Sequence, residues 1–374
     1  MSRSPADDER FMARALALAE SARLICPPNP AVGCVIVDAQ GSVLGEGHTQ
    51  PVGQAHAEVM ALRDAQAHGR SVHGAMAYVT LEPCAHHGRT GPCCEALVAA
   101  GIGRVVASLE DPNPRVAGQG FARLRAAGVV VDVGVGAAAA REINLGFFSR
   151  MVRGSPWVRL KAASSLDGRT ALPNGASQWI TSEAARADGH AWRARAGAVL
   201  TGIGTVLDDD PLLNVRGAAT ARQPVLAIVD SRLQTPLDAR LWSVPQRQVV
   251  IYGAEEDDAR TQALRARGAD VVILPDAHGK VDLAATLQDL GRREINELHV
   301  EAGNQLNGAL FRAGLVDELL LYQAPVLLGE GPGIAALGPF DALAEGVKLE
   351  VHAVQPLGAD VRWLARAVRS KAHE

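Results

Sequence analysis

The sequence is poor in cysteine, in aromatics and in positive charge, and each shortage closes a class of function. Five cysteines, an odd number in 374 residues, do not make the disulfide framework of a small secreted fold. No apolar run approaches the roughly 18 residues needed to cross a bilayer. The first stretch, MSRSPADDERFMARALALAE, is too charged for a signal peptide. Aromatics at 4% offer few platforms for unpaired bases, and a net charge of −4 gives no electrostatic grip on nucleic acid or anionic lipid. Repeats and low-complexity segments are also missing. What remains is 48% apolar and 21% charged, in a chain too long for one ordinary core. A reduced, cytoplasmic protein of two domains is expected, acting on small molecules with no nucleic acid or membrane partner.

The chain's pattern changes once. Asp7 to Arg23 reads as an amphipathic helix stopped by CPPNP, and AVGCVIV and SVLGEG flank the turn DAQG as a β-hairpin. A helix from His56 to Ala67, the strand AMAYVTLE, a helix from Cys93, the strand RVVASL, a helix over Phe121 to Ala127 and the strand VVVDVGV follow. This is an α/β layered domain. After SRMVRGSPW a second series begins. WVRLKAAS, PVLAIVD, QVVIYG and DVVILP read as strands, AGAVLTGIGT as strand then loop, and the tail as β-rich. The boundary is placed near Arg153 to Pro156, giving domains over 1–152 and 153–374.

Chemistry concentrates in the first domain. His56-Ala-Glu58 is joined by Pro83-Cys84 and, after eight residues, by Cys93 in LEPCAHHGRTGPCCEAL. One imidazole and two thiolates suit a zinc ion that keeps its fourth position for water, and such a zinc brings that water's pKa toward ~7. Glu58 is then the group that moves the proton, the arrangement of the zinc deaminases of nucleobases. Cys93 is preferred to Cys94 because it follows Pro92 at the helix start. A structural zinc would instead recruit His86 or His87 as a fourth ligand and leave Glu58 without a task. Cys26 and Cys34 read as small buried hydrophobes. The eight-residue gap departs from the Pro-Cys-x-x-Cys of the nucleobase enzymes, and its Arg89 and histidines suit an anionic, polar substrate.

The second half is less explicit. A Gly-x-Gly-x-x-Gly fingerprint after a strand is lacking. TGIGT permits close backbone approach, and VEAGNQLNGAL reads as strand, Gly303, then a helix whose free N–H groups can hold a phosphate.

With these residues in view, the sequence closely resembles the bifunctional deaminase-reductases of riboflavin biosynthesis. The resemblance runs through NPAVGCVIV, HAEVMAL, TLEPCAHHGRTGPCCEAL, DPNPRVAGQG, SLDGRTA, SQWITS, DDDPLLNVR, VEAGNQLNGAL and LVDELLLYQAPVLLG. It implies a cytidine-deaminase-like N-terminal domain and a dihydrofolate-reductase-like C-terminal α/β domain. The first would hydrolyse the 2-amino group of 2,5-diamino-6-(5-phosphoribosylamino)pyrimidin-4-one. The second would reduce the ribose of the product with NADPH. It implies zinc on His56, Cys84 and Cys93, proton transfer by Glu58, and substrate contacts from Asn29, His86 and Arg89. For NADPH it implies Ala163, Trp179, Thr205, Asp209, Ser231 and the run Gly303, Asn304, Gln305, Leu306, Asn307, Gly308 and Ala309. For the second substrate it implies Ser177, Arg193, Leu213, Arg216 and Glu301. Lys161, Asp209 and Glu301 lie where a proton for the opening sugar can be managed, and the two arginines suit the ribose phosphate through paired hydrogen bonds. One departure is GEGHTQ, where His48 comes first and Thr49 stands where many members have histidine. The resemblance also implies a homo-oligomer built through the reductase domain, for which ELLLYQAPVLLG offers an apolar strand unless that strand is core. Two other readings stand beside it: a nucleic-acid deaminase with a binding domain, and a structural-zinc protein whose second half only senses a ligand.

Overall fold

The computed structural model describes residues 4–85, 91–114, 117–218, 220 and 222–368. The chain separates into two compact units, Met1–Gly154 and Ser155–Glu374.

In the first unit the order is α1 (Pro5–Ala22), β1 (Gly33–Val37), β2 (Val43–His48), α2 (Ala57–Ala67), β3 (Met76–Val79), α3 (Cys93–Ala99), β4 (Arg104–Ala107), α4 (Gln119–Ala126), β5 (Val130–Val133), α5 (Ala137–Ile143) and α6 (Leu145–Arg153). The strands form one sheet in the order β2-β1-β3-β4-β5. β1 runs antiparallel to β2 and β3, and the remaining pairs are parallel. The expected hairpin closes through Asp38, whose carboxylate accepts the N–H groups of Gln40 and Ser42 at 2.9 Å each. Side chains alternate across the strands, so the sheet has two buried faces. Val35, Val37, Tyr78 and Val106 pack on Phe11, Met12 and Ala15 of α1. Cys34, Ile36, Ala77 and Val79 pack with Ala57, Ala61 and Leu97 from α2 and α3. Tyr78 and Arg104 both bind buried Asp8, at 2.6 Å and at 2.8 and 3.0 Å, which fixes α1 on its face.

Glycine sets how closely α2 sits. A Cβ on Gly45 would lie 2.2 Å from the carbonyl oxygen of Ala61, and one on Gly47 would lie 2.5 Å from that of Ala57. The GEG of β2 therefore lets the first turn of α2 rest on the strand backbone, and His56 and Glu58 belong to that turn.

The second unit contains β6 (Trp157–Ser165), α7 (Glu183–Arg195), β7 (Ala198–Gly202), α8 (Ile203–Asp209), β8 (Val225–Val229), β9 (Val249–Gly253), α9 (Asp258–Ala266), β10 (Ala269–Ile273), α10 (Leu283–Arg292), β11 (Glu297–Val300), α11 (Asn304–Arg312), β12 (Glu318–Ala324), β13 (Leu349–Leu357) and β14 (Asp360–Ala367). Its sheet runs β10-β9-β8-β7-β11-β6-β12-β14-β13, parallel up to β12 and antiparallel beyond it. Apolar residues cover both faces, Leu160, Leu200, Leu298 and Val300 on one and Val199, Leu226, Ile228 and Ile251 on the other. Strands β7 to β10 add outward in one direction, whereas β11 returns between β7 and β6. Such a reversal opens a crevice outside the carboxyl ends of the strands.

One expectation changes here and one is decided. The end of AGAVLTGIGT, read as loop, winds into the first turn of α8 directly after β7. ELLLYQA, open between an oligomer strand and core, is β12, buried between β6 and β14. The outer strand on that side of the sheet is β13, which leaves Val351 and Val354 exposed.

Candidate active sites

Three side chains converge in the first unit from three separate elements. His56 is the N-cap residue of α2, Cys84 lies in the segment after β3, and Cys93 opens α3 behind the N-cap Pro92. His56 Nδ1 is 3.6 Å from Cys84 Sγ and 3.3 Å from Cys93 Sγ, and all three donor atoms lie within 4.8 Å of one another. Among the described residues no fourth donor joins this group. Cys94 turns instead into the core beside Leu97. Consecutive positions at a helix start point about 100° apart, so one cysteine can face the cluster and the next cannot.

The electrostatics suit a soft divalent cation. The Cys93 thiol hydrogen-bonds to Cys84 and, with His56, pulls the Cys84 thiol well below the usual thiol range. Cys93 is driven far up by that same hydrogen bond and by burial. Without a cation the pair thus shares one thiolate; a cation between them stabilises two. The Cys93 N–H also points at Cys84 Sγ from 3.3 Å. Glu58, 3% exposed, sits against this cluster, and burial followed by the Cys84 charge raises its carboxyl to about 7. One imidazole, two thiols and an adjacent carboxyl poised between protonation states fit a catalytic zinc centre.

What aims Cys84 lies two residues before it. Glu82 is 4% exposed, and its carboxylate accepts four backbone N–H groups. Oε1 takes those of Gly120 and Phe121 at 2.8 and 3.2 Å, and Oε2 those of Gly118 and Asp111 at 2.9 and 3.1 Å. It thereby caps α4, and Gly120 packs so tightly that a Cβ there would meet the Pro83 carbonyl oxygen at 1.9 Å. Asn144 does a similar job for the loop holding Asn29: its amide exchanges hydrogen bonds with Ala31 at 2.8 and 2.9 Å. Neither residue was singled out in the sequence, because each acts only on distant backbone. Thr49 is buried with its hydroxyl on Val32, while His48 ends β2 and meets Gln50. His86 and Arg89 lie outside the described residues.

In the second unit a cavity of about 1170 Å³ opens at the carboxyl ends of β6, β7 and β11. Lys161, Ala163, Ser177, Trp179, Arg193, Thr205, Asp209, Leu213, Arg216, Glu301, Gly303, Asn304 and Asn307 all line it. Ser231, Gln305 and Leu306 line a second cavity of about 480 Å³, which shares Thr205, Asp208, Gly303 and Asn304 with the first. Gly308 and Ala309 line neither; a Cβ on Gly308 would strike the Ala336 carbonyl oxygen at 2.2 Å, so that glycine serves packing.

Arg193 lines this cavity with its guanidinium already held by two partners of the chain. Its Nε and Nη2 bind Glu301 at 2.6 and 2.9 Å, and Nη1 donates to the Asn214 carbonyl at 2.5 Å. Burial pushes the Glu301 carboxyl up, but Arg193, His299 and Lys161 outweigh it and hold the group well below the carboxylate range. Arg216 and Arg240, the latter missed in the sequence, line the same cavity. Burial and then the nearby charges of Arg193 and Arg240 lower Arg216, the mark of cations crowded together. The loop carrying Leu213 is strained: Asp210 and Leu213 hold positive φ of 40° and 47°.

Comparison with known proteins follows the same division. The family model described as "Cytidine and deoxycytidylate deaminase zinc-binding region" matches residues 5–109, and "RibD C-terminal domain" matches 156–362. Riboflavin biosynthesis protein RibD of Escherichia coli K12 is 46% identical over 362 residues, 95% of this chain and 98% of that one. The chain belongs to the RibD family. Its members are bifunctional: a zinc-binding deaminase domain and an NADPH-using reductase domain serve riboflavin biosynthesis. The solved RibD of Acinetobacter baumannii superposes with a TM-score of 0.89 at 40% identity, covering 98% of this chain and all of that one. A Thermotoga maritima structure, described as a diaminohydroxyphosphoribosylaminopyrimidine deaminase/5-amino-6-(5-phosphoribosylamino)uracil reductase, gives 0.85 at 30% identity, covering 97% of this chain and 99% of its own. The cytidine-deaminase-like and RibD reductase folds are thus both established. Among the described residues no helix is long and apolar enough to cross a membrane.

Proposed function

We propose that the first unit deaminates 2,5-diamino-6-(5-phosphoribosylamino)pyrimidin-4-one and that the second reduces the resulting 5-amino-6-(5-phosphoribosylamino)uracil. The observation that carries the reading is buried Glu58 set against the convergent His56, Cys84 and Cys93, in a chain whose other half holds a reductase cavity. His56, Cys84 and Cys93 would hold the zinc, whose Lewis acidity makes a water nucleophilic near neutral pH. Glu58 would take one proton from the attacking water and pass it to the ring nitrogen as the carbon–oxygen bond forms, then carry the second proton from the added hydroxyl to the amino group, so that the carbon–nitrogen bond breaks and ammonia leaves. Asn29, with His86 and Arg89 from the segment between the cysteines, is assigned to the substrate.

NADPH bound in the reductase cavity would supply a hydride to the sugar carbon. Ala163, Trp179, Thr205, Asp209, Ser231 and the Gly303 to Ala309 segment are assigned to the cofactor, the N-terminus of α11 facing its phosphates. Ser177, Leu213 and Lys161 are assigned to the substrate. Glu301, kept ionised by Arg193, is an acceptor for a sugar hydroxyl and a poor proton donor. Asp209 is better matched to donation, since burial and then Asp208 raise its carboxyl. Arg216 and Arg240 are the cations for the ribose phosphate, as Arg193 has its donors on Glu301 and Asn214.

Two coarser inferences accompany this one. Thiol ligands and cysteines without disulfides suit a reducing cytoplasm. A homo-oligomer through the reductase unit is supported by outer strand β13, which presents Val351 and Val354. The direct test is incubation with the diaminopyrimidine phosphate, with and without NADPH, followed by mass analysis. Loss of one amino group in both samples and gain of two hydrogens only with NADPH is the expected result. Unchanged substrate with zinc present refutes the deaminase assignment.

A further inference from the structure

Arg216 and Arg240 stand in the larger cavity on two separate segments, and a third arginine, lining neither cavity, joins those segments from behind. The inference drawn from it rests on the reading of Arg216 and Arg240 as the cations for the ribose phosphate. Arg216 belongs to the irregular stretch between α8 and β8, and Arg240 opens a single 3₁₀ turn, Arg240–Ser243. Backbone of this kind keeps its shape only where its polar groups find partners elsewhere. Side chains from other elements supply them. His190 Nδ1 accepts the Arg216 N–H at 3.2 Å, and the Asp210 carboxylate accepts that of Arg240 at 2.8 Å. The Gln223 amide exchanges hydrogen bonds with both backbone groups of Val215, at 2.8 and 3.3 Å.

Arg247, two residues before β9, completes the set. Its Nη1 donates to the Leu212 carbonyl and its Nη2 to the Leu241 carbonyl. One guanidinium thus bridges the chain four residues before Arg216 and the residue beside Arg240, a task that suits its rigid fork. The position is a costly one for a cation. Burial and then the charge of Arg193 lower Arg247 to about 10, and its Nε is buried without a hydrogen bond. The cations it serves also repel one another: Arg193 and Arg240 both oppose the charge on Arg216, and only Glu301 favours it. Among the described residues Arg216 donates from its guanidinium only to Asn214 Oδ1, at 2.6 Å, and the Arg240 guanidinium has no partner in the chain. Both are open to an anion.

We propose that Arg247 is a positioning residue of the reductase site: by fixing the Leu212 and Leu241 carbonyls it sets Arg216 and Arg240 for one phosphate group before the substrate arrives. The test is steady-state reduction of supplied deaminated substrate by the full-length protein, with NADPH binding measured beside it. Arg247→Met, which keeps the length and loses the donors, lowers kcat/KM about ten-fold through KM, with kcat and NADPH affinity each within about two-fold. Arg247→Lys, which keeps a cationic donor, recovers part of the loss. In a chain already carrying Arg216→Ala and Arg240→Ala there are no cations left to place, so Arg247→Met leaves kcat/KM where it was; this non-additivity marks a residue that acts through its neighbours. A full ten-fold loss in that background overturns the proposal, as does Arg247→Met with a wild-type KM. NADPH affinity that falls in step with kcat/KM in both Arg247 variants overturns it too, since Arg247 is then a brace of the whole unit. If Arg216→Ala with Arg240→Ala itself leaves KM at the wild-type value, the assignment of the phosphate cations fails and the proposal falls with it.

Discussion

Glu82→Gln is the most informative single change outside the zinc ligands, because its cost follows from counted contacts. Each carboxylate oxygen of Glu82 accepts two backbone N–H groups, Gly120 and Phe121 on one and Gly118 and Asp111 on the other. An amide of the same shape has one acceptor oxygen. Whichever way it is turned, two N–H donors lose their partner and face another donor. Removing the acceptor from a buried donor costs roughly 1–3 kcal/mol, so the variant should lose about 2–6 kcal/mol. That compares with a total of roughly 5–15 kcal/mol for a typical domain. Glu82→Ala would strip all four donors, which makes Gln the better probe.

The loss should also be local. The segment Glu82-Pro83-Cys84 is held down by these hydrogen bonds and by the contact of Gly120 with the Pro83 carbonyl. Releasing it lets Cys84 wander from His56 and Cys93. Urea unfolding read from the deaminase unit should show the lower midpoint, and zinc should pass to a competing chelator faster in the absence of urea. NADPH-dependent reduction of supplied deaminated substrate should continue. If Glu82→Gln changes stability by less than about 0.5 kcal/mol and releases zinc at the wild-type rate, the assignment of Glu82 as the brace of the metal loop is refuted.

Other substitutions divide the two chemistries. Glu58→Gln should keep zinc and fold while losing ~10²–10⁴-fold in deamination, with reduction intact, as separate assays of each step would show. The protein should carry one zinc per chain on three protein donors, and a cobalt-substituted sample should show a spectrum that responds to an exchangeable water. Arg216→Ala and Arg240→Ala should each raise the KM of reduction about ten- to a hundred-fold with kcat nearly kept, whereas Arg193→Ala should lower kcat as well because it frees Glu301; steady-state kinetics separates the two. Burial, opposed by Glu301 but reinforced by Arg193, Arg159 and Lys161, holds His299 at about 3, so between pH about 6.5 and 3 the unfolded chain binds a proton that the folded one does not. Stability of the reductase unit should therefore fall as pH drops through that window, by up to about 1.4 kcal/mol per unit, and His299→Leu should flatten the slope of urea midpoint against pH.

How much of this was legible depended on whether a residue acts through its own chemistry or through someone else's backbone. His56, Glu58, Cys84 and Cys93 could be named from residue type and spacing, since few other roles need an imidazole, a carboxyl and two thiols in that order. Glu82 could not: a glutamate before Pro-Cys reads as one more charge until α4 is folded back over it and four N–H groups converge. Arg193 shows the same limit from the other side. Its charge suits an anion, and its ion pair with Glu301, 108 residues away, is visible only in the folded chain.

The fold was legible in proportion to its periodicity, and the exceptions have physical reasons. Glycine in TGIGT argued against helix, yet α8 forms because Gly202 ends β7 at the sheet margin and the next turn has only to bury Val206. ELLLYQA is apolar enough for an interface or a core, and composition alone does not choose; pairing on both sides, with β6 and β14, does. The glycines of β2 carry the converse lesson. In GEG they weaken a strand, and a propensity argument counts them as a loss. They are tolerated because any side chain at Gly45 or Gly47 would push α2 off the sheet. A Gly47→Ala chain would therefore displace Ala57 and, with it, the turn that holds His56 and Glu58 against Cys84 and Cys93, so the strand's weakness and the site's geometry have one cause.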